Sequence, residues 1–411
     1  MNKFENYCTK FVQSIGSKEG AVSPSIVSSA SFSYGSPETA EGIFNGNVKK
    51  PLYSRMGNPT TAKLESVMAE MDGGIGAVAT SSGMGATTLA VMSLLSQGDE
   101  IISIGGLFGG TYALFDETLS RFGIKTRFFD VDELDTIEKA INDNTKIIFL
   151  ESVGNPNMRL PDIKKIAAIA NKYNVALIVD NTITPLSVSP LALGADISVY
   201  STTKIISGNS SALGGCVVFR AINENTDKFK TERYEFLKKF IKGAGKMALI
   251  PNAKKRALRD LGMSANAHAS YQTLLGLETL ALRLPRIIKS VETVALELAK
   301  HGIAVNHPCI ESHPHHTRYK EAFQYGCGTL LTIDMQSKEQ AYNFLRKTKL
   351  ATITANIGDS RTLALHMAST IYSDFDENTR KFLGITDGLI RISIGLENPT
   401  DIIDDFLQAA K

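Results

Sequence analysis

The sequence lacks tryptophan altogether, has four cysteines in 411 residues and carries a formal net charge of only +2. The cysteines are Cys8, Cys216, Cys309 and Cys327, and no two of them form a CxxC pair. Such scattered thiols argue against a disulfide framework and against a zinc site built from thiolates. The small net charge argues against broad electrostatic capture of nucleic acid or of an anionic membrane.

Long apolar runs are also missing. No run approaches the length that crosses a bilayer, and the N-terminal MNKFENYCTKF has no apolar core of the signal-peptide type. Hydrophobic residues make up 43% and charged residues 21%, as in ordinary globular proteins, and the length allows two domains and a terminal arm. We therefore expect a cytoplasmic protein that binds neither nucleic acid nor membrane.

Residues 1–57 show weak periodicity and many serines, glycines and asparagines. Such a stretch makes a poor independent core, so we expect an arm that packs against something else, such as a second copy of the protein. Regular patterning begins at Asn58-Pro59-Thr60, which is typical of a helix start. Apolar residues at helical spacing then continue up to Gly73-Gly74.

From there, short apolar runs alternate with amphipathic segments of helix length. The runs are Ala77–Ala79, Ile101–Ile104, Thr126–Phe129, Lys146–Leu150, Val175–Val179 and Ile197–Tyr200. This alternation predicts an α/β fold over residues 58–262, with a mostly parallel sheet covered on both faces. Strand-like runs at 329–333 and 389–394 and helical patterns at 267–283, 339–346 and 399–410 predict a smaller α+β domain over residues 263–411.

Polar residues follow four of these runs at the point where each run ends. They are Thr80 to Met84, Glu151-Ser152 with Asn155, Asp180-Asn181, and Ser201 to Lys204. The carboxyl ends of parallel strands meet at one edge of a sheet, which is where such proteins bind ligands. We therefore expect these polar residues to form one site at that edge.

Lys204 and Asp180 end two runs that are adjacent in the alternation. From the residues alone, Lys204 is either a working amine or a surface charge after an edge strand. Asp180 either holds a cationic nitrogen or caps the turn at Asn181-Thr182. Pyridoxal phosphate needs both a lysine amine and an acidic partner for its pyridine nitrogen, so the pair favours that cofactor.

A phosphate cradle is predicted at Ser82-Gly83-Met84. These residues lie between a strand and an apolar segment, so free backbone amides and the positive end of a helix would face an anion. Ser201 and Thr203 would add hydroxyl donors beside Lys204.

Two other patterns compete with this interpretation. Tyr200 and Lys204 fit the YxxxK pair of short-chain, nicotinamide-dependent dehydrogenases, but neither TSSGMG nor GGLFGG has the GxGxxG spacing of a dinucleotide turn. His313, His315 and His316 suggest a metal site, although adjacent histidines rarely all reach one ion. We expect a surface or interdomain loop there, and no metal.

The chain resembles, over nearly its full length, the cystathionine γ-synthase-like (Cys/Met metabolism) pyridoxal-phosphate enzymes of fold type I. The resemblance rests on a specific order of motifs: YSRMGNPTTAKLE, ATSSGMGA, LFGGTYALF, ESVGNP, IVDNT, LGADISVYSTTK and GLIRISIGLEN. It implies pyridoxal 5′-phosphate as the cofactor. It also implies a homo-oligomer that shares its active sites, with a dimer as the minimum and a tetramer usual.

The resemblance implies cofactor-binding roles for single residues. Lys204 would hold the cofactor as a Schiff base and move protons, Asp180 would pair with the pyridine nitrogen, and Phe108 would stack on the ring. Asn155 would lie by the 3′ oxygen of the ring. The phosphate would be bound by Ser82, Gly83, Met84, Ser201 and Thr203, with Tyr53 and Arg55 reaching it from a neighbouring subunit.

The resemblance also implies which residues bind the substrate. Arg391 would clamp the α-carboxylate, a task suited to a planar fork of two donors. Asn356 and Tyr53 would also bind the substrate. For Arg391 the alternative is a purely structural pairing with Glu397.

Three motifs depart from the family pattern. Phe108 replaces the usual tyrosine, which keeps stacking but removes a phenol that could assist the leaving group. The segment from His366 to Tyr372 replaces HPASxTH, and Asn209 stands where a histidine is frequent.

Two further segments bear on the reaction. NIGDSRTL at 356–363 and RALRDLG at 256–262 resemble the O-acetylhomoserine sulfhydrylases, and Gly110 stands where methionine γ-lyases carry a cysteine. The resemblance therefore implies a γ-replacement in methionine biosynthesis, from O-acetyl-L-homoserine and sulfide, or another reduced sulfur donor, to L-homocysteine and acetate. Methionine γ-lyase and cystathionine γ-synthase are the alternatives. The acyl group stays open, as does the donor, which includes a sulfur-carrier protein.

Overall fold

Asn58 begins the first helix of the large domain, as the sequence predicts. Its side chain accepts a hydrogen bond from the Thr60 amide, and Pro59 takes the first helical position, where its missing N–H costs nothing. The helix ends at Gly73, whose φ of 72° lies in the left-handed region that favours glycine.

The computed structural model describes residues 3–16, 20–223, 225–323 and 325–411. The α-helices in these residues are α1 Lys3–Ile15, α2 Pro37–Phe44, α3 Pro59–Asp72, α4 Gly83–Met92, α5 Gly109–Ala113, α6 Leu134–Ala140, α7 Ile163–Lys172, α8 Lys238–Ala244, α9 Leu249–Ala253, α10 Arg259–Leu261, α11 Ala267–Lys300, α12 His316–Ala322, α13 Lys338–Lys347, α14 Glu377–Phe382 and α15 Pro399–Ala409. None of the helices in these ranges is long and apolar enough to cross a membrane.

The strands are divided between two sheets. They are β1 Gly76–Thr80, β2 Glu100–Ile104, β3 Lys125–Phe129, β4 Thr145–Glu151, β5 Ala176–Asp180, β6 Ile197–Tyr200, β7 Gly215–Phe219, β8 Ala304–Asn306, β9 Leu330–Asp334, β10 Thr352–Ile353, β11 Leu363–His366 and β12 Leu389–Ser393. The larger sheet has the order β1-β7-β6-β5-β4-β2-β3 and the smaller one β10-β11-β12-β9-β8.

The larger sheet is parallel except for β7, which runs antiparallel to both β1 and β6. Its strands are buried on both faces. In β4, Ile147 and Phe149 pack into the core beneath α4 and α9, whereas Ile148 and Leu150 pack into the core beneath α6 and α7. The predicted mostly parallel α/β sheet with two covered faces is therefore confirmed.

The smaller sheet is mainly antiparallel and packs with α11, α13 and α15. The longest helix, α11, begins at the cap Asn266 and runs 34 residues through Pro285, well beyond the predicted end at 283. Proline removes one helical hydrogen bond, but Leu284, Ile287 and Ile288 on either side are buried, and this packing outweighs the loss. The predicted smaller α+β domain is confirmed, while the exact boundaries at 57/58 and 262/263 stay predictions.

The predicted N-terminal arm contains more structure than its sequence suggests. In α1, Phe4, Phe11 and Ile15 are buried in the same core as α3 and α11 of the same chain. That segment therefore packs on its own chain, which differs from the expectation of an arm without a core. Residues 1, 2 and 17–19 of the predicted arm lie outside the described residues, and most of 20–57 is exposed or half-buried.

Candidate active site

Polar residues at the carboxyl ends of four strands of the larger sheet line one cavity between the two domains. The cavity encloses about 220 Å³, and its lining includes Ser82, Gly83, Met84, Phe108, Asn155, Asp180, Ser201, Thr203, Lys204 and Arg391. These residues lie at or just after the carboxyl ends of β1, β2, β4, β5 and β6 of the large domain, or on β12 of the small domain. The structure therefore brings together most of the predicted site residues. We call the space that they line the active-site cavity.

Lys204 lies in the turn after β6, and its amine donates a 2.7 Å hydrogen bond to the side-chain oxygen of Asn356. Burial, and then the nearby charge of Arg391, lower the pKa of Lys204 to about 8. A cation in such surroundings loses its proton more readily, because both causes disfavour the charged form. Lys204 is therefore a partly buried amine suited to nucleophilic and proton-transfer chemistry, and not a surface charge.

The amide of Asn356 is itself held in place. Its side-chain nitrogen donates to the Ser210 hydroxyl at 2.8 Å, and that hydroxyl donates to Asp359. Because Ser210 gives its only proton to the carboxylate, it accepts from the amide, and the amide oxygen is left facing Lys204. Asn356 was predicted to bind substrate; in the structure it contacts the amine.

The pH dependence of the reactivity of the Lys204 amine tests whether burial and Arg391 lower its pKa. In the cofactor-free protein, we expect its reactivity toward an amine-directed reagent to rise through a midpoint near pH 8, well below the value of about 10.4 for a free lysine. Competitive labelling across a pH series, read by peptide mass spectrometry, measures this midpoint. Arg391→Leu removes a neighbouring positive charge and should raise the midpoint. A midpoint near that of free lysine would contradict the proposed environment.

Asp180 ends β5, directly beside the strand that leads to Lys204. One carboxylate oxygen accepts a hydrogen bond from the Thr182 amide at 2.9 Å, so the capping interaction is present as well. Burial raises the pKa of Asp180. No cationic side chain of the described residues forms an ion pair with it. A protonated ring nitrogen would supply the missing counter-charge.

The start of α4 has the free backbone amides that the predicted anion cradle requires. Ser82 caps the helix by accepting a 3.0 Å hydrogen bond from the Gly85 amide, which leaves the amides of Gly83 and Met84 without a helical acceptor. A Cβ on Gly83 would lie 2.5 Å from the Cβ of Ser201, so only glycine lets the helix start approach that serine. The donors fit a phosphate.

Thr203 is less available than the sequence suggests. Its hydroxyl donates to the carbonyl of Gly214 at 3.1 Å and accepts from the amide of Gly214 at 3.0 Å. The hydroxyl proton is therefore used within the loop. A role for Thr203 at the phosphate stays a prediction.

Arg391 is buried on β12 and points its guanidinium into the cavity. One nitrogen donates to the side-chain oxygen of Asn155 at 3.2 Å and another to the Ala355 carbonyl at 3.1 Å. Burial lowers its pKa to about 10. The alternative partner, Glu397, instead accepts from the Thr362 amide and hydroxyl, so the pairing with Glu397 is wrong. Arg391 is a buried cation that suits a carboxylate ligand.

Tyr53 and Arg55 are not brought to this cavity within one chain. Tyr53 is 43% exposed, and Arg55 donates to the Arg259 carbonyl at 2.5 Å. Both line a separate surface hollow with Ser54, Asn58 and His268. Their predicted contact with a neighbouring subunit's cofactor stays a prediction.

The competing patterns have structural explanations. Tyr200 is 1% exposed and its hydroxyl accepts from the Asn181 amide group at 3.1 Å, so it does not line the cavity as a dehydrogenase tyrosine would. His315 accepts from the Leu160 amide and contacts Asp132 at 3.0 Å, which makes its loop an interdomain contact. Within the described ranges, no three His, Cys, Asp or Glu side chains are placed to hold a metal ion.

The sequence analysis gave no role to two residues, Glu151 and Tyr372, that lie at or beside the active-site cavity. Glu151 was noted only as a polar strand end, and Tyr372 only as a departure from a motif. In the structure Glu151 lines the cavity, and the Tyr372 hydroxyl donates to the Asn155 carbonyl at 3.0 Å. The one available signal was that a glutamate ends an otherwise continuous apolar strand, where an unpaired carboxylate is costly.

Three features between the α/β domain and the α+β domain define a pyridoxal-phosphate-dependent enzyme of fold type I. They are a lysine with a lowered pKa, a buried carboxyl group without a counter-charge and a helix start with free amides. The chain belongs to the Cys/Met metabolism PLP-dependent enzyme family, whose pattern matches residues 8–411. Pyridoxal phosphate is therefore its cofactor, and the residues of the cavity fit that group.

Individual relatives are similar over nearly the whole chain. An O-acetyl-L-homoserine sulfhydrylase of Leptospira meyeri is 35% identical over 88% of this chain and 86% of its own. An L-methionine gamma-lyase of Fusobacterium nucleatum subsp. polymorphum is 33% identical over 95% of this chain and 93% of its own. A Campylobacter jejuni structure, assigned as an O-acetylhomoserine (thiol)-lyase and carrying a pyridoxyl-lysine phosphate at position 205 of that chain, matches all of both chains at 34% identity and a TM-score of 0.94.

Proposed function

We propose that the protein is an O-acetyl-L-homoserine sulfhydrylase of methionine biosynthesis. It exchanges acetate for sulfide at the γ-carbon: the carbon–oxygen ester bond breaks, a carbon–sulfur bond forms, and L-homocysteine and acetate leave. The observation that carries the proposal is the similarity to relatives named for this reaction, over 86–100% of their length, combined with a cavity that holds both the amine and the carboxylate receptor.

The cofactor would be held by the residues that line the cavity. Lys204 would bind it covalently, Asp180 would pair with its ring nitrogen, Phe108 would stack on the ring and Asn155 would face the 3′ oxygen. The phosphate would lie at Ser82, Gly83, Met84, Ser201 and Thr203. When bound, pyridoxal phosphate supplies an electron sink that makes protons next to the amino-bearing carbon acidic.

The chain's own residues would position and deprotonate the substrate. Arg391, which has no carboxylate partner among the described residues, would bind the α-carboxylate through two parallel donors. Lys204, with its pKa of about 8, would take the α-proton as a base near neutral pH and return it later. Phe108 carries no phenol, so protonation of the departing acetate would not come from the stacking residue.

The active sites would be shared in a homo-oligomer, with a tetramer assembled from dimers. The observation that supports this is the position of Tyr53 and Arg55, which line a separate surface hollow and not the cavity of their own chain. Carried on one copy, they would complete the phosphate site of another. We propose a cytoplasmic location for this assembly.

A mixing experiment tests the shared site. Arg55→Ala and Lys204→Ala homo-oligomers should each be inactive or nearly so. If the sites are shared, a hybrid dimer has one site with both changes and one intact site. Statistical mixing makes about half of the dimers hybrids, so the mixture should recover about a quarter of wild-type activity. The control mixes Lys204→Ala with Asp180→Ala. If both residues of one chain serve the same active site, neither site of a hybrid is intact, and the mixture should recover no activity. Failure of the first mixture, with hybrids confirmed by native mass spectrometry, would contradict the sharing.

The reaction itself is tested by products. The holoenzyme is incubated with O-acetyl- or O-succinyl-L-homoserine and with sulfide, a small thiol, a sulfur-carrier protein or L-cysteine, and separately with L-methionine alone. We expect homocysteine from the acetyl ester and sulfide as the fastest reaction. Faster release of methanethiol from methionine would favour the lyase, and cystathionine from cysteine would favour the synthase.

One structural observation bears on the lyase alternative. A Cβ on Gly110 would lie 2.7 Å from the ring of Phe108. A cysteine at this position, as implied for the γ-lyases, would therefore press on the aromatic ring and require it to move. The present position of the Phe108 ring therefore fits glycine at position 110 better than a cysteine.

A further inference from the structure

Glu151 and Asp180 are neighbouring carboxylic acids at the edge of the larger sheet. They are registered partners at the ends of the parallel strands β4 and β5. Side chains of registered residues on parallel strands point to the same face, and both residues line the active-site cavity. The proposed function gives a task only to Asp180, which leaves Glu151 as a buried acid without an assigned role.

The carboxyl group of Glu151 joins two loops that lie on different sides of the cavity. One oxygen accepts a 2.6 Å hydrogen bond from the Phe108 amide, and the group also accepts from the Asn155 amide. Phe108 follows β2, and Asn155 follows β4. Among the described residues, Glu151 is the one side chain that accepts a hydrogen bond from the Phe108 amide.

Tyr372 joins the same two loops from the small domain. Its hydroxyl lies 3.0 Å from the Asn155 carbonyl and 3.4 Å from the Leu107 carbonyl, and its ring is fully buried. Glu151 thus accepts hydrogen bonds from backbone amides of the two loops, while the Tyr372 hydroxyl contacts their backbone carbonyl oxygens. Both loops are fixed from two directions, which is the kind of support that keeps a binding site in one geometry.

The charged and titratable groups around Glu151 leave it without a positive partner. Asp180 on β5 repels a second negative charge, and Tyr372 is a neutral phenol. Arg391 is directed to Asn155 and Ala355, and Lys204 to Asn356. Burial, and then Asp180, raise the pKa of Glu151 well above its usual range. Two carboxyl groups placed so close do not both ionise readily.

We propose that Glu151 is a positioning residue that holds Phe108 and Asn155 on their two sides of the cofactor ring, and that it does so as a neutral acid. This inference rests on the proposed cofactor site, and it holds whichever sulfur reaction the enzyme performs. Asp180 is then the single negative charge beneath the ring.

Three substitutions separate hydrogen bonding from charge. Glu151→Gln keeps an accepting oxygen at the same distance, Glu151→Leu keeps the size without an acceptor, and Glu151→Asp keeps the acid but shortens it. The full-length protein is stripped of cofactor and titrated with pyridoxal 5′-phosphate by equilibrium dialysis. We expect the glutamine variant to bind within about threefold of the wild type, and the leucine variant at least about tenfold more weakly.

Visible circular dichroism of the bound cofactor gives a second readout. A ring held less firmly by Phe108 and Asn155 should give a weaker signal in the leucine and aspartate variants and an unchanged signal in the glutamine variant. If the leucine variant does not fold, the aspartate variant carries the test. Glu65 is the control: it is a half-buried glutamate that accepts from the Ala79 amide and pairs with Lys254, and it lies outside the cavity. Glu65→Leu should lower stability without changing the dichroism.

The pH titration of the bound cofactor's absorbance tests the neutral state. If Glu151 is uncharged, the midpoint in Glu151→Gln coincides with that of the wild type. A midpoint lowered in the glutamine variant would overturn neutrality, because removing a negative charge destabilises a nearby cation. Wild-type binding and dichroism in both Glu151→Leu and Glu151→Asp would overturn the positioning role. These results concern cofactor binding, so they stand apart from a failure to form homocysteine.

Discussion

Replacing Lys204 by alanine is expected to lower turnover by at least about a thousandfold while leaving the protein folded. The residue follows β6 in a partly buried turn, with its amine 2.7 Å from Asn356 and its pKa lowered to about 8. Removing the amine removes both the covalent attachment of the cofactor and the proposed base. The effect is therefore far larger than that of losing one hydrogen bond.

The measurement combines turnover with the absorbance of the protein. The wild type should show the absorbance of a lysine-bound cofactor, and Lys204→Ala should lose it even with excess pyridoxal phosphate present. Lys146→Met is the control, since Lys146 is also largely buried, with 17% side-chain exposure, but lies in β4 and pairs with Asp99. It should keep both absorbance and activity. A Lys204→Ala variant with wild-type absorbance would refute the assignment.

Replacing Arg391 by lysine is expected to reduce kcat/KM for O-acetyl-L-homoserine by about a hundredfold. Lysine keeps the positive charge but lacks the planar fork that binds both carboxylate oxygens, and its ammonium is harder to bury than a guanidinium. The loss should appear mainly in KM if Arg391 only binds the carboxylate, and in kcat as well if it orients the α-carbon for proton removal.

Arg361→Lys is the matched control for that change. Arg361 is 59% exposed and pairs with Asp359, in the same part of the small domain, without lining the cavity. It should leave kcat/KM within about twofold of the wild type, because lysine keeps a positive charge beside Asp359 and Arg361 does not line the cavity. Cofactor content should be normal in both variants. An Arg391→Lys enzyme with unchanged KM and kcat would show that the carboxylate is bound elsewhere.

The convergence of Asp180 and Lys204 was predictable because it follows from simple geometry. Alternating apolar and amphipathic segments predict parallel strands, and parallel strands bring their carboxyl ends to one edge. Polar residues at successive strand ends must then lie near one another. The helix start at Ser82 and Gly83 was predictable from a local signal, because a serine at a strand-to-helix junction is a favoured N-cap.

Contacts between distant segments were not predictable from local patterns. The apolar face of α1 packs against α11, more than 250 residues away along the chain, whereas we expected the arm to pack on something else, such as a second copy. Asn356 contacts Lys204, and Tyr372 contacts the Asn155 carbonyl, only because the small domain folds against the large one. No spacing rule relates either residue to Lys204 or Asn155.

Proximity in sequence was also misleading at Arg391. Glu397 lies six positions further on and could balance its charge, but β12 ends at Ser393 and the chain turns away. The carboxylate of Glu397 is used by the amide and hydroxyl of Thr362, at 2.7 and 2.8 Å. Arg391 is left with neutral oxygen partners inside the cavity, which is the arrangement that an incoming carboxylate would complete.

The most direct test of the proposed reaction follows the sulfur atom. The holoenzyme is given O-acetyl-L-homoserine and sulfide enriched in a heavy sulfur isotope, and the products are measured by mass spectrometry. The proposal predicts labelled L-homocysteine and acetate in equal amounts, with Lys204→Ala forming neither. Release of 2-oxobutyrate in place of labelled homocysteine, or no reaction from protein that carries its full cofactor content, would contradict it.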